Sequence, residues 1–261
     1  MNAQALKETA RTLYTAEAEK REIVRITRDY PELTVEDAYH IQEELVELKL
    51  KRGNGIIGPK MGLTSRAKMQ QMNVEEPIYG YIFDDMVVPN GGTLEFDELI
   101  HPKVEAEIAF VLGEDIEGPG IAGEQILAVT EYFIPVLEVI DSRYENFSFT
   151  LPDVIADNAS SSRVVFGEKV KKPDRLKLDK ASVSLVINGE VKERGTGDAV
   201  LGHPANSAAM LANMLAWKQQ KLKAGSVILT GGVTGAVMLK RGDSVSAHVE
   251  GLGDVSFTVS S

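Results

Sequence analysis

The sequence predicts a mixed α+β fold, in which a helical N-terminal region (residues 1–75) precedes a mostly antiparallel β-sheet or β-roll body (residues 76–261). Three observations support this class. Apolar residues recur at helical spacing near the N-terminus, strand-like runs separated by turns follow, and one later stretch again has helical spacing. Because no repeat, low-complexity segment or long linker divides the chain, we expect the two regions to form one compact unit.

Two helices and the start of a third are predicted in the N-terminal region. The first covers residues 3–28, where apolar residues form one stripe at helical spacing. The second begins at a capping box formed by Thr34 and Asp37 and ends at Gly53. The Gly-rich segment NGIIGPKMGLTS then surrounds a short strand, and the overlapping segment SRAKMQQM has helical character.

The β-body is predicted from turn signals between short apolar runs. Asn188 and Gly189, in VINGEVKERG, are a strong signal for a two-residue hairpin turn. The segment GDSVSAHVEGLGDVSFTVS is predicted to form two antiparallel strands that turn between Gly251 and Asp254. One helix is predicted between these two hairpins, at about residues 205–219.

Composition narrows the class of protein. The 261 residues carry a formal net charge of −11, which argues against a nucleic-acid surface because phosphate binding requires a basic patch. There are no cysteines, which excludes disulfides and thiolate metal sites and fits a reducing cytoplasm. No segment approaches the ~18 consecutive apolar residues of a membrane span, and the N-terminus lacks the apolar core of a signal peptide. We therefore expect a cytoplasmic enzyme that acts on a small molecule.

Two glutamates interrupt an otherwise apolar strand. In KVEAEIAFVLG (residues 103–113), Glu105 and Glu107 share one face because alternate side chains of a strand point the same way. The opposite face carries only apolar side chains. Such a pair is more often found on the solvated face of an antiparallel sheet, although it can also mark a functional site on a buried strand.

A third acid stands in a similar position. Glu138 alone interrupts the apolar run of FIPVLEVIDSRY, where an isolated ionised carboxylate would be costly to desolvate. Three such acids would repel one another unless some are protonated, pair with basic side chains or hold a cation. Oxygen ligands without cysteine or a nearby histidine would favour Mg²⁺, Mn²⁺ or Ca²⁺ over zinc. Spacing alone leaves these alternatives open.

The chain resembles one protein family in six segments, which follow the family's order over nearly the whole length: KMGLTSRAKMQQMNVEEPIYG, HPKVEAEIAFVLG, IPVLEVIDSRY, ADNASSS, LGHP and ILTGGVT. They are similar to the hydratase/decarboxylase branch of the fumarylacetoacetate hydrolase superfamily, which serves the meta-cleavage degradation of aromatic compounds. The resemblance implies the fold of that superfamily for the β-body.

The resemblance also implies site residues. It implies that Glu105, Glu107 and Glu138 bind Mg²⁺ or Mn²⁺, that Lys60, in GPKMG, is a catalytic lysine, and that Ser160, in ADNASSS, lines the substrate pocket.

Three further residues are interpreted as contacts of the substrate. Arg143 could bind a substrate carboxylate through two hydrogen bonds, or it could instead pair structurally with Asp141 or a nearby glutamate. Met72 is interpreted as pocket wall or core. Ile78, in PIYG, stands where hydratases of the branch tend to carry an acid.

The identity of residue 78 bears on which reaction the chain catalyses. A hydratase would use a pocket acid to activate water, whereas an isoleucine avoids repelling a dianionic substrate. The segments VIDSRY and TGGVT also look like the decarboxylase versions. The resemblance therefore implies metal-dependent decarboxylation of 2-oxo-3-hexenedioate to 2-hydroxypenta-2,4-dienoate and CO₂, with hydration of 2-hydroxypenta-2,4-dienoate as the alternative. It further implies a homo-oligomer and a complex with the hydratase of the same pathway.

Overall fold

The computed structural model describes residues 1–65, 69–70, 77–171 and 176–261. Most of the predicted third helical segment, and with it Met72, lies outside these residues. Within them, the predicted mixed class is confirmed: helices dominate the first 51 residues, and strands dominate the remainder.

Fourteen strands are described, which we number in chain order: β1 Ile56–Gly62, β2 Ile78–Phe83, β3 Val87–Val88, β4 Thr93–Leu94, β5 Lys103–Leu112, β6 Thr130–Ile140, β7 Ser161–Phe166, β8 Val170–Lys171, β9 Ser182–Ile187, β10 Glu190–Thr196, β11 Val227–Leu229, β12 Val237–Met238, β13 Ser244–Val249 and β14 Gly253–Val259. The described helices are α1 Ala3–Glu19, α2 Ile26–Asp29, α3 Val35–Lys51, α4 Gly123–Val129, α5 Leu151–Ala156 and α6 Pro204–Ala216.

The strands form two sheets. A nine-stranded sheet has the order β2-β1-β11-β5-β6-β7-β3, with β12 added to β5 and β8 added to β6. A five-stranded sheet has the order β10-β9-β13-β14-β4. Only the pairs β1–β11, β3–β7 and β14–β4 are parallel among the described residues, so the sheets are mostly antiparallel, as predicted. The long strands β5 and β6 lie in the middle of the larger sheet, where both faces are buried.

Both predicted hairpins are confirmed. Strands β9 and β10 pair antiparallel through Asn188 and Gly189, whose φ angles of 54° and 79° are those of a two-residue hairpin turn. Strands β13 and β14 pair antiparallel around Gly251. The helix predicted at about 205–219 is α6, which begins at Pro204 and ends three residues earlier than predicted.

The helical predictions need two corrections. The first helix ends at Glu19, not at residue 28, because Lys20 adopts a left-handed conformation (φ 54°) that stops the helical hydrogen bonding. Residues 26–29 form the separate short helix α2. The helices α4 and α5 were not predicted, since seven and six residues are too few to show helical periodicity.

The N-terminal helices pack directly on the β-body. Apolar side chains of α1 and α3 share one hydrophobic cluster with Ile78 of β2, Tyr144 and α5. Strand β1, which precedes residue 76, lies within the nine-stranded sheet between β2 and β11. In the parts of the chain that are described, every helix falls short of the length and apolar character that crossing a membrane requires.

The capping box at the start of α3 is formed as predicted: the backbone N–H of Asp37 donates to Oγ1 of Thr34 over 3.1 Å, and the Asp37 carboxylate accepts from the backbone N–H of Thr34. We therefore expect Thr34→Ala to lower the free energy of unfolding by about 1 kcal/mol, measured by chemical denaturation. Thr12→Ala is the matched control, because the exposed Thr12 lies inside α1 and caps nothing. An equal loss in both variants would contradict the capping role.

Candidate metal centre and active site

The three acidic side chains meet on one face of the central strands β5 and β6. In the sheet register Glu105 lies directly opposite Glu138, and Glu107 follows two residues along β5 on the same face. The opposite face of β5 packs into the main hydrophobic core through Val104, Ala106, Ile108 and Phe110, as the alternation predicts. The cluster therefore rests on two long strands that core packing holds in register.

The carboxylates are close together and buried. One oxygen from each of Glu105, Glu107 and Glu138 lies within 4.8 Å of the others, and the side chains of Glu107 and Glu138 are 0% exposed. The backbone N–H of Gly231 donates to Oε2 of Glu107 over 2.9 Å. Among the described residues, Oε1 of Glu107 and both oxygens of Glu138 accept no hydrogen bond of normal geometry. Buried oxygens left in this way are costly unless a further partner is present.

The pKa values of the clustered glutamates indicate what kind of partner these buried oxygens require. Burial, followed by the neighbouring charges of Glu138 and Glu105, raises the pKa of Glu107 well above its ordinary value. Burial also raises the pKa of Glu138, although the ammonium of Lys60 opposes the effect. A divalent cation between the three carboxylates would remove the repulsion and favour the ionised forms. The solvated sheet face, which the E-x-E pattern alone would also fit, is excluded by this burial.

The cluster fits a hard divalent cation. Its donors are carboxylate oxygens only, the set that Mg²⁺, Mn²⁺ and Ca²⁺ prefer. Space for the carboxylates depends on Gly232, since a Cβ atom there would lie 2.2 Å from Oε2 of Glu105. Three protein ligands leave coordination positions for small-molecule oxygens, as in catalytic rather than closed structural sites.

Lys60 lies beside the cluster. Strand β1 is held between β2 and β11, and this position buries the Lys60 side chain to 2% exposure. Its Nζ lies 3.2 Å from Oε1 of Glu138 and donates to the carbonyl oxygen of Ala159 over 3.1 Å. A buried lysine that contacts a carboxylate of the cluster can supply positive charge or a proton to a group bound there.

Ser160 belongs to a turn with an unusual backbone. Asn158, Ala159 and Ser160 all have left-handed φ angles, 49°, 52° and 56°. Each such non-glycine residue costs free energy, and strain of this kind is typical of functional sites. The side chain of Asn158 holds the turn against β2, because its amide donates to the carbonyl of Tyr81 and its oxygen accepts from the backbone N–H of Tyr81. The Oγ of Ser160 is buried and has no hydrogen-bond partner among the described residues.

A cavity of about 420 Å³ joins these residues; its lining comprises Lys60, Gly62, Leu63, Ile78, Lys103, Glu105, Ile140, Phe147, Ser148, Phe149, Val154, Ala159, Ser160 and Ala236. Most of the wall is apolar or aromatic, and Ile78 forms part of it. The structure thus brings Lys60, Ile78 and Ser160 to the same cavity as the carboxylate cluster.

Arg143 does not line this cavity, which corrects its interpretation as a substrate clamp. Its side chain is buried and its guanidinium is engaged with the carboxylate and carbonyl of Asp157 and with the carbonyl of Ser161. The alternative of a structural ion pair therefore fits the structure better, although the partner of Arg143 is Asp157. Asp141 instead accepts hydrogen bonds from the backbone N–H groups of Ile100 and His101.

Lys103 is the cavity residue that the sequence interpretation missed. It begins β5, two residues before Glu105, and its Nζ lies 3.9 Å from the ring centroid of Phe147. Burial lowers the pKa of this ammonium group. The signal was present in the sequence, because the alternation that places Glu105 and Glu107 on one face places Lys103 there too.

Comparisons with known proteins agree with this site. Residues 57–260 match the family model described as "Fumarylacetoacetate (FAA) hydrolase C-terminal". The chain is 50% identical over 247 residues to a 4-oxalocrotonate decarboxylase from Pseudomonas sp. (strain CF600), covering 95% of this chain and 94% of that protein. It is 39% identical over 253 residues to a 2-oxo-hept-4-ene-1,7-dioate hydratase from Escherichia coli, covering 95% of each.

A solved structure is also similar. The 4-oxalocrotonate decarboxylase from Pseudomonas putida G7, complexed with magnesium and adipate, superimposes with a TM-score of 0.97 at 46% identity. The match covers 99% of this chain and 98% of that one. By its family model, by sequence and by fold, the chain belongs to the fumarylacetoacetate hydrolase family.

Proposed function

We propose that this protein is a metal-dependent carboxy-lyase that converts 2-oxo-3-hexenedioate (4-oxalocrotonate) to 2-hydroxypenta-2,4-dienoate and CO₂. The observation that carries the proposal is the buried cluster of Glu105, Glu107 and Glu138 at a mostly apolar cavity. A relative with 50% identity over nearly the whole chain is a 4-oxalocrotonate decarboxylase, whereas the hydratase relative reaches 39%. The reaction belongs to meta-cleavage degradation of aromatic compounds.

The cofactor is Mg²⁺ (or Mn²⁺), and Glu105, Glu107 and Glu138 would hold it through one oxygen each. The similar Pseudomonas putida structure contains magnesium. When bound, the cation supplies Lewis-acid chemistry: it polarises the 2-oxo group and takes up the negative charge that develops there as CO₂ leaves.

The protein's own residues would position the substrate and manage charge. Lys60, which contacts Glu138, places a second positive charge beside the substrate headgroup and can hold or transfer a proton there. The Oγ of Ser160, which has no hydrogen-bond partner in the described part of the chain, would donate to a substrate oxygen. The mostly apolar wall of the cavity would limit the water around a bound substrate and so strengthen both interactions.

One feature of the cavity favours decarboxylation over hydration. A hydratase has to activate water, for which a pocket acid is useful. Among the described lining residues the only acid is Glu105, which the proposal assigns to the metal. Ile78 forms the wall where the hydratases of the branch tend to carry an acid.

The proposal extends to the protein's partners and location. The substrate would be a small dicarboxylate. From the family resemblance we propose that the chain forms a homo-oligomer and associates with the pathway hydratase, which would receive the product directly. The absence of cysteine supports a cytoplasmic location.

The activity is tested by incubating the protein with Mg²⁺ and 2-oxo-3-hexenedioate and following CO₂ release. We expect one CO₂ per substrate consumed, loss of the activity with a chelator and its recovery when Mg²⁺ is restored, because the cluster alone cannot take up the developing charge. Hydration of 2-hydroxypenta-2,4-dienoate without decarboxylation would instead establish the hydratase.

The ligand assignment is tested by Glu107→Gln, which removes one charged ligand but keeps an oxygen that can accept from the N–H of Gly231. We expect Mg²⁺ affinity, measured by titration calorimetry, to fall more than about 100-fold. The melting temperature of the metal-free protein should not fall, because the repulsion from Glu138 and Glu105 is reduced. Glu98→Gln, at an exposed ion pair with Arg163, is the control and should bind Mg²⁺ normally. Unchanged affinity in Glu107→Gln would contradict the assignment.

The dependence of the site on Gly232 is tested by Gly232→Ala. Its Cβ would lie 2.2 Å from Oε2 of Glu105, so the carboxylate must move and Mg²⁺ affinity should fall about tenfold or more although no ligand is replaced. Gly235→Ala is the matched control, because its Cβ would meet only the end of the Glu193 side chain, at 3.2 Å. Equal affinity in the two variants would show that the carboxylate does not need this space.

A further inference from the structure

The two lysines of the cavity lie on opposite sides of the carboxylate cluster. In the sheet register, Lys60 is aligned with Leu229 and, through it, with Ala109 of β5. Lys103 lies at the other end of β5, about 7 Å along the strand from Glu105. A substrate headgroup at the cluster therefore has Lys60 on one side, and the rest of the substrate can extend towards Lys103.

The two lysines differ in their partners. Lys60 is already paired, since its Nζ contacts Glu138 at 3.2 Å. The contact recorded for the ammonium of Lys103 is the ring of Phe147, and no carboxylate of the described residues forms an ion pair with it. A partly buried ammonium group that faces an aromatic ring without a carboxylate retains its capacity to bind an anion.

The charges around the carboxylate cluster indicate which kind of anion Lys103 would bind. With one bound dication, the charges of the three glutamates, Lys60 and the metal sum to zero. A substrate with two carboxylates would bring two further negative charges to these groups. In the lining of the cavity, as far as it is described, Lys103 is the remaining positive group.

The position of Lys103 is supported by its neighbours. The ring of Phe147 contacts both the ring of His101, at 5.0 Å between centroids, and the Lys103 ammonium. The loop that carries Phe147 is anchored to the N-terminal region, because the backbone N–H of Glu145 donates to the carbonyl of Ile23 and that of Asn146 donates to Glu22. Lys103 is thus held at the cavity wall rather than extended into solvent.

We propose that Lys103 is a specificity-determining residue that binds the second carboxylate of a dicarboxylate substrate, the one remote from the 2-oxo acid headgroup. This inference rests on the proposed function. It explains how the site would select a dianion over a 2-oxo acid with one carboxylate.

The same contact would help to release the product. The carboxylate that Lys103 binds is the group that departs as CO₂, so the product would lack this contact and bind less tightly than the substrate. Because the contact stabilises the bound substrate more than the transition state, in which the charge of this carboxylate disperses, its removal should raise KM without lowering kcat.

The inference is tested with two ligands that differ only in the remote carboxylate: 2-oxoadipate and 2-oxohexanoate. Neither has the double bond that decarboxylation requires. Their Kd values are measured by titration calorimetry on the Mg²⁺-loaded wild type, on Lys103→Met, which removes the charge, and on Lys103→Arg, which keeps it. We expect the wild type and Lys103→Arg to bind 2-oxoadipate about ten- to a hundredfold more tightly than 2-oxohexanoate. In Lys103→Met this ratio should fall to near one, with the Kd for 2-oxohexanoate unchanged.

Kinetics give a second readout. Lys103→Met should raise KM for 2-oxo-3-hexenedioate by a factor similar to its loss of 2-oxoadipate affinity, while kcat should not fall. A loss confined to kcat would overturn the inference.

Different binding results would contradict the role of Lys103 and the proposed function. An unchanged ratio in Lys103→Met, or equal weakening of both ligands, would overturn the role of Lys103 and leave the proposed function standing. If neither ligand bound to the wild type in a Mg²⁺-dependent way, the proposed function itself would fail, and the inference with it.

Discussion

Repulsion among three buried carboxylates is the constraint to which the rest of the site responds. Glu105, Glu107 and Glu138 converge within 4.8 Å where little water can screen them. The ammonium group of Lys60 contacts Glu138, and the backbone N–H of Gly231 donates to Glu107. Burial and the neighbouring charges of Glu138 and Glu105 nevertheless raise the pKa of Glu107 well above its ordinary value, an effect that a bound divalent cation would oppose. The cluster is therefore explained by binding, since stability alone would favour apolar residues at these positions.

The scaffold explains how such a costly arrangement can persist. Strands β5 and β6 run side by side for most of their length, and the face of β5 opposite the acids packs into the main core. Moving one carboxylate away would require disturbing this packing, which costs more than a rotamer change on a surface loop. The turn at Asn158–Ser160 shows the same principle, because two hydrogen bonds to Tyr81 hold a backbone that few non-glycine residues adopt.

The sequence predicted what depends on local periodicity and failed where partners are chosen in three dimensions. Strand alternation was enough to place Glu105 and Glu107 on one face, and residue type alone located the turn at Asn188. The partner of Arg143 could not be read in this way, since Asp141 is nearer in sequence but turns towards backbone N–H groups. The same alternation places Lys103 on the face of the glutamates, but a lysine at a strand end is ordinarily solvent-exposed, so its place in the cavity wall became visible only in the structure.

The N-terminal helical region contributes to the site rather than standing beside it. Thr27 of α2 binds Asp153 through its backbone N–H and its hydroxyl, and Ile23 pairs with Tyr144 ahead of the loop that carries Phe147. Both α5 and this loop provide cavity wall, through Val154 and Phe147. Loosening the segment between α1 and α3 would therefore reach the cavity through these two contacts. Through these contacts the N-terminal segment supports part of the apolar wall beside the charged cluster, and without that wall solvent would screen the charges on which the proposed chemistry depends.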